Sequence, residues 1–242
     1  MKRLLLWLFK ILKVQIIIND FKNVFSTPEL IYQQMDYDKY WENRELENTF
    51  QYRWPLMSSE IKSNSSILDI GCGDGGFLVY LKNKKENISE TGIDISSIGV
   101  NRAKNKGINS FVASLDLYDG QYGLFDIVTI SEVIEHVSNS EYFVKRGFEL
   151  AREKFIITIP NTGYYTYRIR LLFGRFPVQW VHHPGEHLRF WTIRDFRIWL
   201  KSLEMGTIRK CRIIPSNEFP FFYLYKLLPS MFSRQIVIVI EK

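Results

Sequence analysis

The sequence is poor in cysteine and has no long apolar run, internal repeat or low-complexity segment. Cys72 and Cys211 cannot make a disulfide framework, and with no cleavable signal pattern in the chain they point to a reducing, cytoplasmic setting. The apolar stretch near the start, residues 4–9, gives way to Lys10 and Lys13 and is too short to span a bilayer. What the chain does hold is 242 residues, 46% of them hydrophobic, 15% aromatic and 24% charged. That is too apolar for disorder and too charged for a multi-span membrane protein, and it is enough for one α/β domain with its own core. A net charge of +6 favours an anionic partner without choosing among nucleic acid, anionic lipid and phosphorylated glycan.

Leu4, Leu5, Leu8, Ile11 and Leu12 fall on one helical face, with Lys2, Lys10 and Lys13 around the other. Such a helix either lies on an anionic membrane surface or packs on its own domain. Residues 1–45 therefore read as a helix and lead-in, and 46–242 as the domain. From Ile67 onward short β-branched runs alternate with helical stretches, the pattern of βαβ units and a mostly parallel sheet. Strands are expected at 66–70, 90–95, 108–113, 125–131, 154–160, 208–214 and 235–240. Helices are expected at 76–84, 97–106, 138–151 and 192–203, the last opened by a Thr192/Asp195 capping-box spacing.

Between the first strand and its helix runs Asp69-Ile70-Gly71-Cys72-Gly73-Asp74-Gly75-Gly76, where glycines let the backbone turn tightly and approach a ligand. Gly71, Gly73 and Gly76 also satisfy a dinucleotide fingerprint, so the acids must discriminate. A pyrophosphate here would meet carboxylates at Asp69 and Asp74, whereas S-adenosylmethionine presents a sulfonium and an ammonium that those carboxylates attract. Asp94, closing Gly92-Ile93-Asp94, is placed to accept both ribose hydroxyls. Asp116, with Ser114 as the competing register, offers an acceptor to the adenine amino group.

The succession Ile67-Leu68-Asp69-Ile70-Gly71-Cys72-Gly73-Asp74-Gly75, Gly92-Ile93-Asp94, Phe125-Asp126-Ile127-Val128 and Ile159-Pro160-Asn161 resembles the class I S-adenosylmethionine-dependent methyltransferases. The resemblance implies a Rossmann-like α/β fold with seven strands, the last antiparallel, and helices on both faces. It makes Asp69, Gly71, Gly73, Asp94 and Asp116 cofactor-binding positions, with Asp74 beside them. Arg53 stands where ubiquinone-pathway relatives use an arginine on the cofactor's carboxylate. The stretch from Ile159 through Arg168, Gly174 and Pro177 to His187-Leu188-Arg189-Phe190-Trp191-Thr192 is similar to the MetW-type proteins of methionine biosynthesis. In contrast, Ser131-Glu132-Val133-Ile134-Glu135-His136 is similar to the E-x-x-E-H element of the small-RNA and ubiquinone-pathway O-methyltransferases, where it binds a divalent metal. That resemblance nominates Glu132, Glu135, His136 and His187 for a Mg²⁺, Mn²⁺ or Fe²⁺ ion, against the plainer reading of Glu-His as a metal-free catalytic corner.

The chemistry expected is methyl transfer to a hydroxyl, with His136 as general base, supported by Glu132 and Glu135, or with a metal acidifying the hydroxyl. Insertions at 162–190 and 217–232, basic and aromatic, are expected on the acceptor side, and suit a small-molecule or lipid-linked acceptor such as a cell-surface glycan, a glycolipid or a quinone-like molecule. That implies a cytoplasmic chain at the inner face of the plasma membrane. A regulatory MetW-like binding protein and an RNA 2′-O-methyltransferase are the alternatives, and no RNA-binding module accompanies the second.

Overall fold

The computed structural model describes residues 15, 18–22, 24–25, 36–43, 50–115, 123–177, 187–216 and 224–242. Among these run α1 (Tyr37–Asn43), α2 (Arg53–Ser59), β1 (Ser66–Ile70), α3 (Gly76–Lys82), β2 (Ser89–Asp94), α4 (Ser97–Asn105), β3 (Ser110–Val112) and β4 (Phe125–Ser131). There follow α5 (Ser140–Leu150), β5 (Ala151–Pro160), α6 (Tyr165–Leu172), α7 (Ile193–Ser202), β6 (Lys210–Pro215), α8 (Leu224–Leu227), α9 (Pro229–Phe232) and β7 (Gln235–Glu241). The strands form one sheet in the order β3-β2-β1-β4-β5-β7-β6, with β7 antiparallel to both of its neighbours. β1 and β4 run parallel, but the order in which strands are added reverses between them, which opens a crevice at their C-terminal ends.

Period-two side-chain alternation divides the core into two layers. Leu68, Ile70, Ile130, Ile157 and Ile238 join one cluster, closed by Phe143 and Phe148 of α5 and Phe196 and Leu200 of α7. Ile67, Ile127, Ile156 and Val239 face the other way, against Met57 of α2, Phe77, Leu78 and Leu81 of α3 and Ala103 of α4. Each fully buried Leu, Ile or Phe stabilises the fold by roughly 1.5–3 kcal/mol relative to exposure.

Three helix starts carry side-chain caps, of which the sequence reading expected the one at Thr192. Ser96 Oγ accepts from Gly99 N, Asn139 Oδ1 from Tyr142 N and Thr192 Oγ1 from Asp195 N. Asn139 caps from outside, so α5 begins at Ser140 rather than 138. The edge strand β3 has a single partner and is shorter than the expected 108–113. Conversely β5 begins at Ala151, three residues early, because Ala151 already pairs with Phe125 ahead of an irregularity in the register. The end of the 1–45 lead-in is not separate from the domain. Asp38 of α1 accepts from Ser96 Oγ (2.6 Å), Ser97 Oγ (3.2 Å) and Ile98 N (3.3 Å) at the start of α4. Further back, buried Asp20 accepts from the hydroxyls of Tyr164 (2.7 Å) and Tyr165 (3.0 Å) and pairs with Arg234. The apolar face at residues 4–12 lies outside the described residues, as do 217–223 of the second insertion.

Candidate active site

A cavity of about 580 Å³ opens at the crevice, running from Gly71 and Gly73 past Asp94 and Ile95 to Glu132, His136 and Leu188. Its floor is the turn after β1. Gly71, Gly73 and Gly75 all hold φ between +53° and +75°, a region costly for other residues. A Cβ on Gly73 would stand 2.2 Å from the Trp41 ring, and one on Gly71 2.3 Å from Val133 Cγ2. The turn is pinned at its centre, since Gly73 N donates to Asp94 Oδ2 (2.8 Å) while Ser96 N donates to Asp94 Oδ1 (2.8 Å). Trp41 and Tyr37, one helical turn apart on α1, cover this floor from the other side. Ile95 is 54% exposed in the cavity and offers an apolar wall at the end of β2.

The acids expected around the turn divide in two. All three of Asp69, Asp74 and Asp94 line the cavity, and Asp69 and Asp94 are largely withdrawn from water. Burial pushes the Asp69 carboxyl up to about 7; the Thr129 hydroxyl, donating to Oδ1 at 2.6 Å, works against this, Asp94's charge adds to it, and Arg53 opposes it. Burial also raises Asp94, against the backbone amides of Ser96, Gly73 and Ile95. Asp74, by contrast, is matched by Lys106 (2.6 Å) and accepts from Gly76 N. Ser114 lines the cavity, and Asp116 lies outside the described residues.

Arg53, at the start of α2, is held by Ser131 Oγ (2.9 Å) and Gln51 Oε1 (3.1 Å) and faces the same cavity. Beside it Glu132 takes a left-handed φ of 56°, which turns its side chain back toward the sheet. Its carboxylate accepts from Thr158 Oγ1 (3.2 Å) and Gln235 Nε2 (3.0 Å), and burial raises its pKa against the pull of Arg53. The proposed quartet of metal donors is thus brought together in three members. Glu135, His136 and His187 offer donor atoms within 4.8 Å of one another, and Glu132 is not among them. Glu135 is fully buried, with Oε1 3.8 Å from His136 Nε2. The His136 and His187 rings meet edge to face at 4.6 Å, and Tyr37 meets His136 at 6.5 Å. Burial first, and His136 second, lower His187 to about 3, so it is a neutral imidazole at physiological pH.

Sequence reasoning missed Tyr37 and Trp41, although Asp36 at the head of α1, accepting from Asp38 N and Lys39 N, and the i, i+4 aromatic spacing were legible signals. It also missed Gln235 and Asp20, whose partners come from distant parts of the chain.

The strand order, the glycine turn after β1, the carboxylate closing β2 and the crevice between them define the fold of the class I S-adenosylmethionine-dependent methyltransferases. The family model for methionine biosynthesis protein MetW matches residues 53–240, and the chain belongs to that family. It is 25% identical over 115 residues, 45% of this chain and 33% of the relative, to (S)-tetrahydroprotoberberine N-methyltransferase of Eschscholzia californica. To the ubiquinone biosynthesis O-methyltransferase of Pelagibacter ubique it is 29% identical over 156 residues, 61% of this chain and 60% of that protein. The chain spans about a third of the length of the plant N-methyltransferases it matches. Among solved structures, the methyltransferase domain of bacterial CtHen1 superposes with a TM-score of 0.57 at 25% identity, over 79% of this chain and 98% of that one.

Proposed function

We propose that this chain is an S-adenosylmethionine-dependent O-methyltransferase acting on a hydroxyl of a small or lipid-linked acceptor, a cell-surface glycan, glycolipid or quinone-like molecule, at the cytoplasmic face of the membrane. The observation that carries this reading is the single cavity joining the glycine turn to the His136 corner. In it Asp94 takes the ribose hydroxyls, Arg53 the cofactor's carboxylate and Asp69 its ammonium, while Ile95 flanks the adenine. Trp41 and Tyr37 of α1 help exclude water. An acceptor hydroxyl then lies in line with the sulfonium methyl group. Holding the two in a near-attack arrangement is worth on the order of 7–11 kcal/mol of the barrier. His136 would take the acceptor's proton, and the bound cofactor would supply an electrophilic methyl group with a neutral thioether as leaving group. Buried Glu135, beside His136, stabilises the imidazolium so formed.

One carboxylate and two imidazoles, one of them held neutral by burial, also suit a divalent ion, and this favours a second reading of the corner. Glu135, His136 and His187 would hold it, and it would supply Lewis acidity to the acceptor hydroxyl. A purely regulatory MetW-like role gives these three residues no evident task. The test is transfer of tritiated methyl from the cofactor into lipid and glycan fractions of the source cell, with and without a chelator. Label recovered as a methyl ether, at a rate indifferent to chelator, supports His136 as base. Loss with chelator and return with Mn²⁺ assigns the corner to a metal, and absence of label from every such fraction contradicts the proposal.

A further inference from the structure

We infer that the tip of α6, together with the helical residues 18–22, 24 and 25 seated against it, is a docking surface for an anionic lipid bilayer. Among the described residues this face carries large apolar side chains directed at solvent. Leu172 is 82% exposed, Phe176 64%, and Phe25 and Phe173 61% each, with Leu171 and Phe21 beside them in the chain. The face is built and not frayed. Arg170 Nη1 donates to Val24 O (3.0 Å), Arg175 Nη1 donates to Phe25 O (2.6 Å), and the Phe25 and Phe173 rings meet at 5.9 Å. Behind it, the buried Asp20 carboxylate ties residues 18–22, 24 and 25 to Tyr164, Tyr165 and Arg234.

Charge selects the occupant. Across the described residues 18–25, 165–177 and 224–228, the exposed charged side chains are Lys22, Arg168 and Lys226, all cationic. The one acid in those stretches, Asp20, is buried and matched by Arg234. An apolar tip with cations and no exposed carboxylate is what an anionic leaflet requires: the aromatics and leucines enter the headgroup boundary while lysine and arginine stay at phosphate level. No described helix is long and apolar enough to cross a membrane, so the contact is interfacial.

The surface also leads to the cleft. Phe176 meets Phe190 at 5.3 Å, Phe190 meets His187 at 6.2 Å, and His187 meets His136 at 4.6 Å. This row of rings deepens the proposed O-methyltransferase reading, on which this step rests, because it sets the side from which a lipid-linked hydroxyl would reach His136. The docking itself does not depend on it.

Flotation of the full chain with vesicles of phosphatidylglycerol and phosphatidylcholine, against phosphatidylcholine alone, tests the inference. The chain should float with the anionic vesicles and not with the neutral ones. Leu172→Asp combined with Phe173→Asp should lower partitioning at least about tenfold. Lys22→Gln, which touches no part of the cleft, should lower it roughly fivefold. S-adenosylhomocysteine calorimetry on the same samples should be unchanged; flotation without cofactor capture would refute the methyltransferase reading and leave the docking standing. No flotation of the unaltered chain, equal flotation of the double variant, or a dimer that the double substitution dissociates without any vesicle binding would overturn the inference.

Discussion

Replacing His136 with alanine should lower the rate of methyl transfer by about 10²–10⁴-fold, the usual range for loss of a positioned general base. The Kd for S-adenosylhomocysteine should change by no more than about twofold, since the group acts on the acceptor. The geometry separates the two effects. His136 sits among Glu135, His187 and Tyr37, whereas the glycine turn is pinned separately by Asp94. Single-turnover transfer and cofactor calorimetry on the same variant check the split. A loss of cofactor affinity equal to the loss of rate would make His136 a structural residue.

Asp94→Ala should have the opposite profile, raising the Kd for the cofactor about 100-fold. Asp94 holds both Gly73 N and Ser96 N at 2.8 Å, so truncation frees the centre of the glycine turn and the start of α4 together. Hydrogen bonds to a charged group are each worth roughly 1.5–3 kcal/mol. The variant also deprives the ribose of its acceptor. Asp94→Asn retains one carbonyl oxygen for one of the two amides and should fall between the variant and the unaltered chain. Calorimetry with S-adenosylhomocysteine reads both, and equal affinity for Asp94 and alanine would remove this residue from the cofactor site.

What the sequence made legible and what it hid have a common physical basis. The central strands were visible because strands buried on both faces, parallel or antiparallel, read as apolar, β-branched-rich runs such as Phe155-Ile156-Ile157 in β5 and Ile236-Val237-Ile238-Val239-Ile240 in the antiparallel β7. Of the helices that were visible, α4, α5 and α7 follow Ser96, Asn139 and Thr192, whose side chains accept from the first turn, while α3 was legible from the glycine turn before it and has no side-chain cap. The helices that were hidden, α2 and α6, follow Tyr52 and Tyr164, which make no side-chain cap. The glycine turn and Asp94 were legible because backbone requirements write themselves as glycine and as an acid at a strand end. Partnership was not legible. The chain gives no local sign that Asp74 answers Lys106, that Glu132 turns to Thr158 and Gln235, or that Asp20 is buried beneath two tyrosines. Each of those depends on which strand ends the sheet order brings together.

The cleft is held to be a berth for a cation, with Asp69 its most sensitive member. Its carboxyl lies near 7 in the free protein because it is buried, and an ammonium brought beside it would favour the ionised form. Binding would then release a proton below that pH. The sign of the unliganded protein's stability follows from the same shift. A carboxyl raised on folding favours the folded state at low pH, and that contribution is lost as pH rises from the model-peptide value of 3.8 through about 7. Cofactor affinity should move the other way. The direct measurement is calorimetry of S-adenosylhomocysteine and of a nicotinamide dinucleotide between pH 5.5 and 8. The Kd for S-adenosylhomocysteine should tighten by up to about tenfold per pH unit below 7 and level off above it, with no dinucleotide heat. A pH-independent Kd, or tighter capture of the dinucleotide, would contradict the assignment of this cleft.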